Sequence, residues 1–299
     1  MTHEEIDGLL KPARDLMMEL RCHVQADTER LDERILSPVD SQLRKEIIAA
    51  RDEVGCEGPW DARVVLDELL ISAGTVQTLS YQVYSIGRLL HAPVSMRAVQ
   101  ALVRTALETA ARAWWLLDPA LTIRQRVTRS IGVTLQSMRD EQRAWKKLGE
   151  AGPLKRSNEQ INHLVEWARY IGLAITADKL GQPRLAEFTP STASEMVAKL
   201  GDEAGGSLGG SALYSWLSAS THGAALHMVP FTDGVPQVPR TNCRELAWVL
   251  KPAVISLRAT HLRLAEYVGA SSVHRSRPYD ALLRELHSKR SDKTPVGVF

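Results

Sequence analysis

Five residues on two stretches have the types and spacing of a polar binding site. In SMRAVQALVRTALETAARAWWLLDP, residues 95–119, Arg104 and Glu108 are four apart, so their side chains can pair on one helical face. In SALYSWLSASTHG, residues 211–223, Tyr214, Ser218 and His222 are again spaced by four. A guanidinium would hold an anionic group and the carboxylate would orient it. The two hydroxyls and the imidazole would hydrogen-bond the ligand, and histidine changes charge near neutral pH. The expectation is a pocket between these two helices that takes a small anionic ligand. The same spacing also suits a scaffold without a pocket, with solvated faces and a terminal histidine complementing its helix dipole.

Other chemistries fit less well. GGSLG, residues 205–209, has the G-x-S-x-G form of a hydrolase nucleophile elbow, and Asp233 and His261 follow in triad order. The elbow needs an apolar strand before it, and KLGDEA is polar. The loop also lacks the Lys-Ser/Thr of a P-loop. His222 and His227 are five apart, which does not put two ligands on one helical face. Cys22, Cys56 and Cys243 form no CxxC pair, so they read as reduced thiols. Neither metal nor cofactor is expected. His261 shares a face with Leu250, Val254, Leu257 and Leu264, which makes it a hydrogen-bonded core residue. His23 and Asp27 read as a helix pair at i and i+4. Arg124, Arg126, Arg129, Arg139, Arg143, Lys146 and Lys147 are dense enough to hold phosphate, but Asp140 and Glu141 interrupt them. That stretch reads as a solvated face.

The elements that must position these residues are all helices. Apolar residues at helical spacing recur along almost the whole chain, and nothing demands a strand. The fold expected is all-α, a multi-helix bundle of about eight to ten helices. Ser95 is placed as the cap of the central helix, Asp118-Pro119 as the opening of the next, and Ser157 with Gln160 as a capping box. Thr192 to Leu200 reads as a short helix inside a linker. The expected divisions are an N-terminal helical hairpin over 1–58, a helical core over 59–270 and a basic, partly disordered tail over 271–299.

A chain of 299 residues with 44% apolar and 24% charged residues has the composition of a globular protein. A net charge of +2 is too small to imply a nucleic-acid or membrane partner by itself. No apolar run is long enough to span a bilayer, and MTHEEIDGLL lacks a signal-peptide core, so a cytoplasmic protein is expected. The narrow apolar seam of the N-terminal helix suggests a homodimer.

RTALETAARAWWLLDP with the following Arg126 and Arg129, and YSWLSASTHG, resemble a family of actinobacterial cytoplasmic all-helical proteins. Those carry an R-x-x-x-E helix ending in W-L-L-D-P and later an aromatic-x-x-L-S-x-x-x-H-G helix. The resemblance covers the middle of the chain and implies no particular chemistry. The helical plan with a late histidine more distantly resembles the HEPN superfamily, which includes metal-independent RNases of toxin and phage-defence systems. That resemblance implies an arginine holding the scissile phosphate and His222 or His163 as base. Trp216, Leu217 or Tyr214–Ser215 stands where an arginine would precede His222, while Arg156 and His163 fit a looser spacing. RNA is therefore the alternative partner.

Overall fold

The computed structural model describes residues 3–29, 41–51, 62–91, 94–178, 181–204, 210–221, 231–232, 235–236, 241–270, 273–289 and 295–296. Ten helices account for most of them, so the fold is all-α. In chain order they are α1 (His3–Glu29), α2 (Gln42–Arg51), α3 (Ala62–Leu89), α4 (Met96–Leu116) and α5 (Ile123–Leu148). Then come α6 (Ala151–Tyr170), α7 (Ala193–Glu203), α8 (Gly210–Thr221), α9 (Cys243–Tyr267) and α10 (Val273–Lys289). Among the described residues the longest strands form a small antiparallel hairpin, β1 (Ile175–Ala177) with β2 (Pro183–Leu185). Among the described residues no helix is long and apolar enough to cross a membrane.

The chain forms two compact units whose boundaries differ from the divisions at 58 and 270. Unit 1 comprises residues 1–37, 73–117 and 192–299, and unit 2 comprises 38–72 and 118–191. Unit 1 is built around α4. Val99, Val103, Ala106 and Ala110 are buried along it, and its last turns are buried on nearly every side, Trp115 included. The alanines around it let α7, α8 and α9 all pack against this one helix. Arg263 of α9 fastens the α4 terminus, donating to the Trp114 carbonyl at 3.0 Å with its guanidinium 4.1 Å from the indole centroid.

The stretch from 273 to 289 lies in the region expected to be a basic tail. It folds as α10 because Tyr279, Leu282 and Leu286 recur at helical spacing and are buried. Asp27 ties α1 to α9 and α10. Its carboxylate lies 3.0 Å from His261 Nε2 and accepts from Arg275, whose Nη2 lies 2.9 Å from Oδ1. Tyr279 Oη lies 2.8 Å from the other ring nitrogen of His261. Asp27 thus pairs across the unit, and His23 lies 3.3 Å from Glu19 instead of pairing with Asp27.

In unit 2, α5 does not open at Asp118-Pro119. Thr122 caps it and Gln125 completes a capping box. Leu117 and Asp118 leave the helical path before the proline, and Asp118 Oδ1 accepts from the Ala120 amide. Ser95 has cap geometry, yet its hydroxyl makes no capping bond. Ser157 lies within α6, buried, donating to the Met138 carbonyl at 3.3 Å, because the helix already starts at Ala151. Leu135 of α5 packs with Ile161 and Val165 of α6. Gly132 lets the Phe188 ring lie directly on α5: a Cβ there would overlap the ring. Gly132→Ala is therefore expected to cost about 1–3 kcal/mol through forced displacement of that ring. Urea titration of the variant measures it, and an unchanged midpoint would show that Phe188 moves aside freely.

Candidate functional site

Three of the five residues expected at the polar site meet in unit 1. Arg104 Nε donates to Glu108 Oε1 at 3.0 Å, and Tyr214 Oη donates to the same oxygen at 2.7 Å. The Arg104 guanidinium lies 5.6 Å from the Tyr214 ring centroid. Burial, and then the hydrogen bond to Glu108, push the Tyr214 hydroxyl pKa up. Burial works against the Arg104 charge, but Tyr214 and Glu108 outweigh it and the pKa rises. The cluster pins α8 to α4, and the Arg104 and Glu108 side chains keep 19% and 33% exposure, so a ligand could still reach them. Ser218 follows Tyr214 by one turn of α8 and is half-buried. His222 lies outside the described residues, as do the glycine loop 205–209, His227 and Asp233. Arg156 and His163 are both exposed on α6.

A second constellation, in unit 2, was not singled out in the sequence. Arg126 of α5 is fully buried and holds Glu46 of α2 through two hydrogen bonds, Nε to Oε2 at 3.3 Å and Nη2 to Oε1 at 3.2 Å. Nη2 also donates to the Asp118 carbonyl at 3.0 Å. Close by on α3, Glu68 is 2% exposed and accepts from the Ser72 hydroxyl at 2.8 Å on Oε1. Its Oε2 has no hydrogen-bond partner. The Ser130 hydroxyl is near enough to favour the ionised carboxyl, yet its oxygen also lacks a partner within normal geometry. Desolvation raises the Glu68 pKa to about 7, against the pull of the Arg126 charge and the Ser72 hydroxyl.

Glu68 forms part of the wall of a cavity of about 250 Å³. Val64, Ile71, Val127, Ile131 and Leu164 give it apolar walls. Asp67, His163 and Trp167 also line it, the first two from exposed positions. Few convergent polar groups in an apolar concavity, one of them a carboxyl with a displaced pKa, are the usual signature of a small-molecule site. A sequence signal for it exists. Glu68 falls between Val64, Val65, Leu69 and Ser72 on the stripe that α3 buries, where an acid stays only with partners.

Among the described residues, no group of three or more His, Cys, Asp or Glu side chains is placed to hold a metal ion. No protein-family model, no curated protein and no solved structure matches the chain.

Proposed function

We propose that the chain is a helical ligand-binding protein whose site is the Glu68 cavity, taking a small organic cation with an apolar body. The observation that carries this reading is the buried Glu68 carboxyl, whose Oε2 lacks a partner beside an apolar cavity. An unsatisfied buried acceptor costs about 1–3 kcal/mol, and an ammonium group would relieve that cost as a charge-assisted donor. Charge points the same way. Glu46 and Glu68 both lie by the Arg126 guanidinium, and Asp67 stands at the cavity as well. The Trp167 indole supplies an aromatic wall that a cation favours.

A second reading puts the binding function at Arg104, Glu108 and Tyr214, with an anionic ligand on the guanidinium. Their meeting at hydrogen-bond distance favours it.

Thermal-shift titrations with benzylamine, benzyl alcohol and benzoate separate the two. Benzylamine is expected to raise the Tm of the wild type and of Arg104→Gln, and benzyl alcohol to do so at least about tenfold more weakly. Glu68→Gln and the cavity-filling Thr134→Trp should lose the amine response. An amine response unchanged in Glu68→Gln ends the first reading. A benzoate response lost in Arg104→Gln supports the second.

A further inference from the structure

The other side of α5 carries a different set of groups. Arg139, Arg143 and Lys146 stand at i, i+4 and i+7, so they form one stripe near the end of the helix. Two adjoining clefts, of about 220 and 390 Å³, share Arg139 and Arg143 in their walls. Lys146 lines the larger, and Arg184 of β2 lines the smaller. Against these four cations stand two carboxylates, both already engaged. Asp140 pairs with Arg143 at 2.9 Å, and Asp178 accepts from the Gln182 amide at 2.9 Å. Arg139 Nε and Nη2 are buried and have no hydrogen-bond partner. A guanidinium cannot lose its charge to escape that situation. The smaller cleft also has an apolar wall, made by Leu135, Leu185, Phe188 and Pro190.

We propose that these clefts form a binding site for a phosphate monoester with a planar organic body. Arg139, Arg143 and Lys146 hold the phosphate, while Phe188 and Pro190 take the ring. The excess positive charge selects an anion, and the guanidinium fork suits tetrahedral oxyanions better than a single ammonium would. The amides of Asn158 and Gln182 in the larger cleft offer further donors to ester and sugar oxygens, while Gln142 Nε2 donates to Asn158 Oδ1. Burial of Arg139 pushes its pKa down; the Asp178 carboxylate opposes this, and the Arg143 and Arg184 charges add to it. This site shares no lining residue with the Glu68 cavity and does not depend on it.

The test is calorimetric titration of the full chain with phenyl phosphate, inorganic phosphate and a short single-stranded RNA. Phenyl phosphate is expected to bind at least about tenfold more tightly than inorganic phosphate. Arg139→Gln should abolish binding, and the exposed Arg143→Gln should weaken it about tenfold with an unchanged Tm. The exposed Arg156→Gln, which lines neither cleft, should bind as the wild type does. Three results overturn the proposal: no binding of phenyl phosphate, binding unchanged in both cleft variants, or equal affinity for inorganic phosphate. RNA binding much tighter than phenyl phosphate, lost in Arg143→Gln, replaces it with a nucleic-acid surface.

Discussion

Replacing Arg126 with methionine is expected to destabilise the protein by about 3–5 kcal/mol, the largest single-site effect foreseen. The guanidinium is 0% exposed and the Glu46 side chain 5% exposed, so the variant takes away the guanidinium that holds a buried carboxylate. Methionine fills much of the volume but restores neither the two bonds to Glu46 nor the one to the Asp118 carbonyl. The cost arises from the stranded group more than from the lost pair. Arg126→Met with Glu46→Leu should therefore regain most of the stability, since an apolar replacement of both partners is often neutral or better. Urea unfolding midpoints of the two single variants and the double variant measure this. A double variant as unstable as Arg126→Met would show that the bond to the Asp118 carbonyl, which closes the turn ahead of α5, matters more than the charges.

That pair also shows what the sequence could and could not tell. The helices were legible because period and punctuation agree locally. Thr192, the expected start of a short helix, caps α7, whereas α10 was hidden within a basic stretch although Tyr279, Leu282 and Leu286 recur at helical spacing. The meeting of Arg104 with Glu108 was legible because four residues of helix fix the distance in advance. Their contact with Tyr214, 106 positions later, rested on chemical type alone. Glu46, Glu68 and Arg126 belong to three separate helices, and no spacing rule links them. Arg126 was read as one of several cations on a solvated face, because a row of arginines looks the same whether it faces water or a buried acid. The Asp27 pairing failed in the same way. His23 was near in sequence, but His261 and Arg275 are near in space.

Stability should fall as pH rises from about 5 to about 8, and Glu68→Gln should remove most of that fall. The Glu68 carboxyl has an ordinary pKa of 4.5, which the fold raises to about 7. The folded state therefore holds its proton where the unfolded chain has released it. The contribution of the neutral carboxyl is complete below the ordinary value and is lost as pH climbs through the folded value. A rise of this size corresponds to about 3 kcal/mol across the window. Glutamine keeps the shape and stays neutral, so the variant should be the more stable of the two at about pH 8. Near pH 5 it should be equal or weaker, because its amide donors are left short of acceptors at about 1–3 kcal/mol. Asp27 acts in a different window. Burial opposes its charge, but His261 and Arg275 outweigh it and hold the pKa well below the usual carboxylate range. Its stabilisation is present above the ordinary value of 3.8 and is lost only as pH falls below it. The measurement is the difference between wild type and Glu68→Gln in urea midpoint at several pH values, which cancels every group the two proteins share. A difference that stays constant from about pH 5 to 8 would mean that Glu68 titrates in its ordinary range. A crossing near neutrality would mean that a cation bound at Glu68 must displace a proton. Amine affinity should then strengthen over the same interval in which the empty protein loses stability.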